Sequence, residues 1–190
     1  MPAHSLPSAR SLGEPLSSRF AVSDGVRFIA TLAGPADQRI VLASTFGDGL
    51  VTELSNLHSR MKAGKAMISL PKGSEPVFPA LVDGDEPPTI VCVTSDGYLL
   101  AFSLEELPEL SKGKGNKMIN IPPQRLKAGD EWMVGMAVRG SGEDVLVWAG
   151  QRYLRLGDKD LEHFTGDRAF RGRKLPRGFQ RVTRIERAAD

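Results

Sequence analysis

Stretches of this 190-residue chain recur at a spacing of about 51 residues, and that period restricts the fold to a stack of small similar units. In Arg60-Met61-Lys62-Ala63-Gly64-Lys65-Ala66-Met67-Ile68-Ser69-Leu70, the residues Gly64, Met67 and Ile68 are in register with Gly115, Met118 and Ile119 of Leu110-Ser111-Lys112-Gly113-Lys114-Gly115-Asn116-Lys117-Met118-Ile119-Asn120-Ile121. One step upstream, Gly13 of Ser8-Ala9-Arg10-Ser11-Leu12-Gly13-Glu14 keeps the interval. Downstream, His163-Phe164-Thr165-Gly166-Asp167-Arg168-Ala169-Phe170-Arg171-Gly172-Arg173-Lys174 opens a fourth unit, the most basic. A unit of this size cannot bury its own faces, so neighbours must stack.

A second marker keeps the same time. Ser44-Thr45-Phe46-Gly47-Asp48-Gly49-Leu50, Thr94-Ser95-Asp96-Gly97-Tyr98-Leu99 and Trp148-Ala149-Gly150-Gln151-Arg152-Tyr153 each set a glycine turn between two short apolar runs. Asp96-Gly97 is a hairpin signal of the type I′ kind, whose two central positions need positive φ. Helical periodicity is weak throughout. The second unit reads as four strands, at 65–70, 77–82, 90–94 and 98–103, with turn-forming residues between them. The third repeats this at 117–121, 132–138, 145–149 and 152–156, and the first at 16–20, 26–30, 40–44 and 50–54. Four strands per unit of about 50 residues is the pattern of propeller-type blades, so the fold class is all-β.

The blades run over residues 1–57, 58–107 and 108–162, with a partial blade and basic segment at 163–190. Leucine-rich links, Leu54-Ser55-Asn56-Leu57, Leu104-Glu105-Glu106-Leu107-Pro108 and Lys159-Asp160-Leu161-Glu162, precede each basic loop. Leu6-Pro7-Ser8-Ala9 looks like the tail of a further link. The chain reads as a fragment of a longer array forming a partial ring, and Met1 need not be a natural start.

The basic loops carry the chemistry. Glycines let backbone amides approach a phosphate, and the interleaved lysines add positive charge. A net charge of +2 averages unlike halves: from His163 to Arg187, Arg168, Arg171, Arg173, Lys174, Arg177, Arg181, Arg184 and Arg187 face only Asp167 and Glu186. That asymmetry points to a polyanionic partner. No apolar run approaches the roughly 20 residues of a membrane span, and the first residues lack a signal-peptide pattern, which favours the cytoplasm. The single cysteine, Cys92, lies in an apolar strand and reads as core.

Other chemistries fit poorly. A phosphate-binding loop of the Walker kind needs Gly-x-x-x-x-Gly-Lys followed by Ser or Thr between a strand and a helix, which residues 111–117 do not supply. His4, His58 and His163 are far apart and lack cysteine partners for zinc. Asp83, Asp85 and Glu86 form an acidic turn without calcium-loop spacing. Tyr98 and Tyr153 suit blade packing, and Trp132 and Trp148 read as core aromatics. No catalytic residue and no metal site is assigned.

Leu6 to Leu16, the Arg60 to Leu70 stretch and, above all, Leu107 to Lys117 resemble the C-terminal domain of the ParC-like, gyrase A-like chain of bacterial DNA topoisomerase IV. The likeness extends to Phe170-Arg171-Gly172-Arg173-Lys174-Leu175-Pro176-Arg177-Gly178-Phe179. The resemblance implies a β-pinwheel, in which neighbouring blades exchange an outer strand. It also implies one DNA-binding domain that bends duplex DNA along its basic perimeter and presents the transported segment to a catalytic core. The Gln-Arg-Arg-Gly-Gly-Lys-Gly box of gyrase is not present; Lys112 to Lys117 is at most a degenerate form, which favours weak bending over wrapping. The DNA-cleaving tyrosine and the ATPase would lie elsewhere, so the fragment needs no cofactor, while the parent would use ATP and Mg2+. Its partners would be double-stranded DNA and, in the parent, a second copy of the same chain together with the ATPase chains of topoisomerase IV, acting at the nucleoid.

The expected DNA contacts are Lys112, Lys114, Lys117, Arg168, Arg171, Arg173 and Lys174, extended by Arg177, then Arg60, Lys62 and Lys65, with Arg10 weakest. The other reading of the residues is a propeller-like interaction module whose basic loops bind an acidic protein.

Overall fold

The structure, a computed structural model, describes residues 7, 10, 12–21, 23, 25–84 and 88–188. His4, Leu6, Ser8, Ala9, Asp85 and Glu86, singled out above, lie outside the described residues. Three antiparallel sheets carry the fold, each built on a hairpin. The hairpins are β1 (Arg39–Ala43) with β2 (Asp48–Glu53), β4 (Thr89–Thr94) with β5 (Tyr98–Ser103), and β8 (Val145–Ala149) with β9 (Arg152–Leu156).

Each hairpin is completed from later in the chain. The first sheet has the order β3-β1-β2-β6, adding β3 (Ala80–Leu81) and β6 (Asn116–Lys117). The second has the order β10-β5-β4-β7, adding β7 (Met133–Arg139) and β10 (Arg173–Lys174). In the third, β11 (Arg184–Arg187) joins β8, giving β11-β8-β9. Four strands per blade holds for the first two sheets, but those strands come from three successive units and not from one.

The stacking follows from strand alternation. Val41, Ala43 and Val51 of the first sheet share a core with Ile90, Cys92, Leu100 and Phe102 of the second. On the opposite face of the second sheet, Val91, Val93, Leu99 and Ala101 pack with Val145, Val147 and Leu156 of the third. Cys92 is fully buried, and burial pushes its thiol well above the ordinary range. The middle sheet is thus buried on both faces, which explains its unbroken apolar strands.

Several local expectations change. Residues 16–20 contain a helical turn, α1 (Leu16–Arg19), and 26–30 form no strand. Val26, Phe28 and Ile29 are 52, 49 and 44% exposed, because an alternating run without a hydrogen-bonding neighbour has no ladder to join. Residues 65–70 make only an isolated bridge, Ile68 to Gly113. The turn at Asp96-Gly97 is not type I′: Gly97 has φ 79°, the Gly97 N–H donates to the Thr94 carbonyl, and Asp96 is absent from the positive-φ residues. One left-handed glycine after an ordinary turn closes this longer loop. No helix among the described residues is long and apolar enough to cross a membrane.

One buried cation ties the third sheet to the second. Arg139, at the end of β7, pairs with Asp158 at the start of α4 (Asp158–Glu162). The Arg139 hydrogen bond holds the Asp158 carboxyl below the usual carboxylate range, against a smaller opposing effect of desolvation. A carboxyl whose folded pKa is depressed stabilises the fold above its unfolded value and loses that contribution as pH falls through the folded value. Acid titration of stability should therefore show a loss below the ordinary carboxylate range that Asp158→Asn removes. An unchanged profile in that variant would show the pair to be energetically silent.

Candidate nucleic-acid interface

Glycine sets each basic loop on its sheet. Gly115 (φ 74°) lies against β2 so closely that a Cβ there would sit 2.0 Å from the Gly49 carbonyl oxygen. Gly172 (φ 74°) repeats the arrangement on β5, with 2.3 Å to the Leu99 carbonyl oxygen. Both positions need a residue without a side chain and with left-handed freedom. Beyond the glycine, β6 and β10 each add two residues to the sheet edge, Lys117 opposite Asp48 and Lys174 opposite Tyr98. The repeat seen in the sequence is thus the repeat of the donated strand.

The loops also join one another. Ser69 N–H donates to the Gly113 carbonyl and Gly113 N–H to the Met67 carbonyl. One unit on, Asn120 N–H donates to the Phe170 carbonyl and Ala169 N–H to the Met118 carbonyl. Met67 and Ser69 stand to Gly113 much as Met118 and Asn120 stand to Phe170. Upstream, Ala21 N–H donates to the Lys62 carbonyl. The loops carrying Lys62, Lys112 to Lys117 and Arg168 to Lys174 follow one another as a hydrogen-bonded chain along the array.

Their cations fall into two groups. Lys117 is 3.0 Å from the Asp48 carboxylate, itself 5% exposed, and donates to the Phe46 carbonyl at 3.0 Å. Lys114 is 3.6 Å from the same carboxylate and 57% exposed. Arg168 donates to the Lys117 carbonyl and Arg171 to that of Asn120. Arg171 also reaches Glu131 at 2.6 Å and lies 3.7 Å over the Tyr98 ring. Lys174 pairs with Asp96 at 3.3 Å and stands over the same ring at 4.9 Å. These side chains fasten the loops.

The remainder face solvent. Arg60, Lys62, Lys65, Lys112 and Arg177 are exposed and form no ion pair among the described residues. Arg173 is exposed beside His163 Nδ1 at 3.3 Å, and Arg10 is exposed in the N-terminal turn. Arg125, on α3 (Pro123–Ala128), lies outside the repeat and carries no sequence signal. It pairs with Glu131 at 3.1 Å and Asp96 at 3.6 Å. The acids that hold the loops, Asp48, Asp96 and Glu131, have no motif to mark them either. Trp132 is corrected: it is 44% exposed, since its backbone pairs with Ser95 while its ring points away from the core. Trp148 is half-buried against Tyr153. Among the described residues, no three His, Cys, Asp or Glu are placed to hold a metal ion.

Stacked sheets that exchange an outer strand and carry a glycine-hooked basic loop at each exchange define the β-pinwheel class. Residues 88–138 match the family described as DNA gyrase C-terminal domain, beta-propeller. The chain is 47% identical over 182 residues to the ParC-type chain of DNA topoisomerase 4 from Pseudomonas aeruginosa, covering 96% of this chain and 24% of that protein. It is 37% identical over 181 residues to the Escherichia coli K12 counterpart, covering 95% and 24%. Among solved structures, the E. coli ParC C-terminal domain superposes with a TM-score of 0.86 at 34% identity, over 97% of this chain and 74% of that one. The DNA gyrase A C-terminal domain, at 14% identity, TM-score 0.59 and coverages of 78% and 48%, shares the fold. The chain belongs to the family of ParC-type topoisomerase IV C-terminal domains. It spans 24% of the length of the curated relatives named here.

Proposed function

We propose that this chain binds duplex DNA without sequence preference, curves it along the basic loops, and presents it to the core of an ATP-dependent type II topoisomerase. The observation that carries this reading is the hydrogen-bonded succession of loops, one per donated strand, bearing Lys62, Lys65, Lys112, Lys114 and Arg173 along one array. Phosphates look alike in every sequence, so lysines on a repeating scaffold select for the backbone and not for bases. Affinity comes from counterion release. Bending a short duplex by tens of degrees costs on the order of 1–6 kcal/mol, which several such contacts offset.

The division of the cations assigns them different work. Arg60, Lys62, Lys65, Lys112, Lys114, Arg173 and Arg177 meet phosphates, with Arg10 at the upstream end. Lys117, Arg168, Arg171 and Lys174 hold the loops and add field more than contact. The domain contributes no catalytic group; strand cleavage, ATP and Mg2+ belong to the rest of a parent enzyme, a ParC-type dimer joined to its ATPase chains in the cytoplasm.

Fluorescence anisotropy on a random-sequence linear duplex tests this across salt. Some six phosphate contacts predict a loss of about a thousandfold in affinity between roughly 50 and 200 mM salt. Lys62→Glu with Lys112→Glu should weaken binding and flatten the salt slope by about two. An unchanged slope, or equal affinity for an acidic polypeptide, would instead favour a protein-interaction module.

A further inference from the structure

The first residue of the second hairpin strand differs between the three sheets in a way that reverses the local charge. In the first sheet it is Asp48, which receives Lys117 and Lys114 from the donated loop. The second sheet has Tyr98, whose ring receives Arg171 and Lys174. In the third, where Trp148 pairs with Tyr153 as Val93 pairs with Leu99, the position falls to Arg152. A donated lysine would meet like charge there.

What runs past Arg152 is the segment after β10. Leu175 N–H donates to the Gly97 carbonyl and Val182 N–H to that of Ser95, so this segment leaves the Lys174 loop along the turn of the second hairpin. It then crosses to the third: Arg152 donates to the Gly178 carbonyl at 3.3 Å and lies 5.7 Å over the Phe179 ring. Between this segment and the hairpin tip opens a surface groove lined by Ala149, Gly150, Arg152, Gly178, Gln180 and Arg181. Its lining contains no carboxylate. Arg152 and Arg181 are exposed, and neither forms an ion pair among the described residues. The positive charge of the first two hairpin tips is partly answered by Asp48 and Asp96, whereas that of the third is unanswered.

We infer that Arg152 and Arg181 form a phosphate-binding groove at the tip of the third hairpin, continuing the path of duplex DNA beyond the last donated loop. This rests on the duplex-binding reading above and adds a contact that no basic-glycine motif marks. Two guanidinium groups facing a groove without an acid can each engage phosphate oxygens through paired N–H donors.

The test uses the same duplex and salt series on the full chain. Arg152→Gln with Arg181→Gln should weaken binding about tenfold or more and lower the salt slope by about two. Arg181→Gln alone, which removes no intramolecular bond among the described residues, should lower the slope by about one with unchanged thermal unfolding. A slope equal to that of the unsubstituted chain in both variants, while Lys62→Glu with Lys112→Glu still lowers it, overturns this groove and leaves the loop track standing. Absence of salt-dependent duplex binding by the unsubstituted chain overturns both.

Discussion

Alanine at Gly172 should release β10 from the edge of β5 and destabilise the fold by about 3–5 kcal/mol, as two effects add. A left-handed backbone costs a residue with a Cβ about 1–3 kcal/mol, and forcing an atom into a filled space costs about as much again. The new Cβ would lie 2.3 Å from the Leu99 carbonyl oxygen and 2.7 Å from its carbon, both backbone atoms of a buried strand that cannot yield. Gly115→Ala meets the Gly49 carbonyl in the same way. Gly64 supplies the control, because it shares the conformation (φ 74°) and place in the repeat but has no heavy atom within 4 Å of the built Cβ. Its substitution should cost only the conformational part, about 1–2 kcal/mol. Chemical denaturation of the three variants measures the difference, and equal losses at Gly64 and Gly172 would show that close approach to the sheet is not what the glycine is for.

Removing the Glu131 carboxylate should be of similar size. Glu131 is 0% exposed and takes Arg171 at 2.6 Å and Arg125 at 3.1 Å. Breaking a buried ion pair by deleting one partner typically costs about 3–5 kcal/mol, because the remaining charge stays desolvated without an answer. Two guanidinium groups would be left here, one of them stacked on Tyr98 and hydrogen-bonded to the Asn120 carbonyl. Glu131→Ala should therefore lower the unfolding midpoint strongly and loosen the Arg168 to Lys174 loop with it. Glu131→Gln keeps the shape and an acceptor oxygen and should recover part of the loss. Should Glu131→Ala unfold like the unsubstituted chain, the pair would be ornamental, and Arg171 would be available to DNA instead.

The period, the all-β class and the three hairpins were legible because each leaves a local trace: a glycine at fixed spacing, an apolar run, a turn. The identity of strand partners was not. Nothing in Asn116-Lys117 says that it completes the hairpin at 39–53 and not the one that follows, since two residues carry no register and the pairing spans two units. The basic loops were likewise visible, but their restraints were not. Asp48, Asp96 and Glu131 stand in three different units and converge on the loops only through the strand exchange. Arg152 had a legible signal, an arginine where the earlier hairpins carry Asp48 and Tyr98. Trp132 misled because an aromatic residue beside a strand usually packs inward, whereas this one ends the apolar run at the rim.

Interleaving also sets a timetable for synthesis. The edge of β5, complete as a sequence at Ser103, waits for Arg173 and Lys174, about 70 residues later. At about 5–20 residues per second, a nascent chain leaves that edge open for roughly 4–14 seconds. Unpaired strand edges invite wrong partners during such an interval. Ribosome pausing before residue 174, or crowding of two nascent copies, should therefore favour swapped dimers, in which the tail of one chain closes the hairpin of its neighbour.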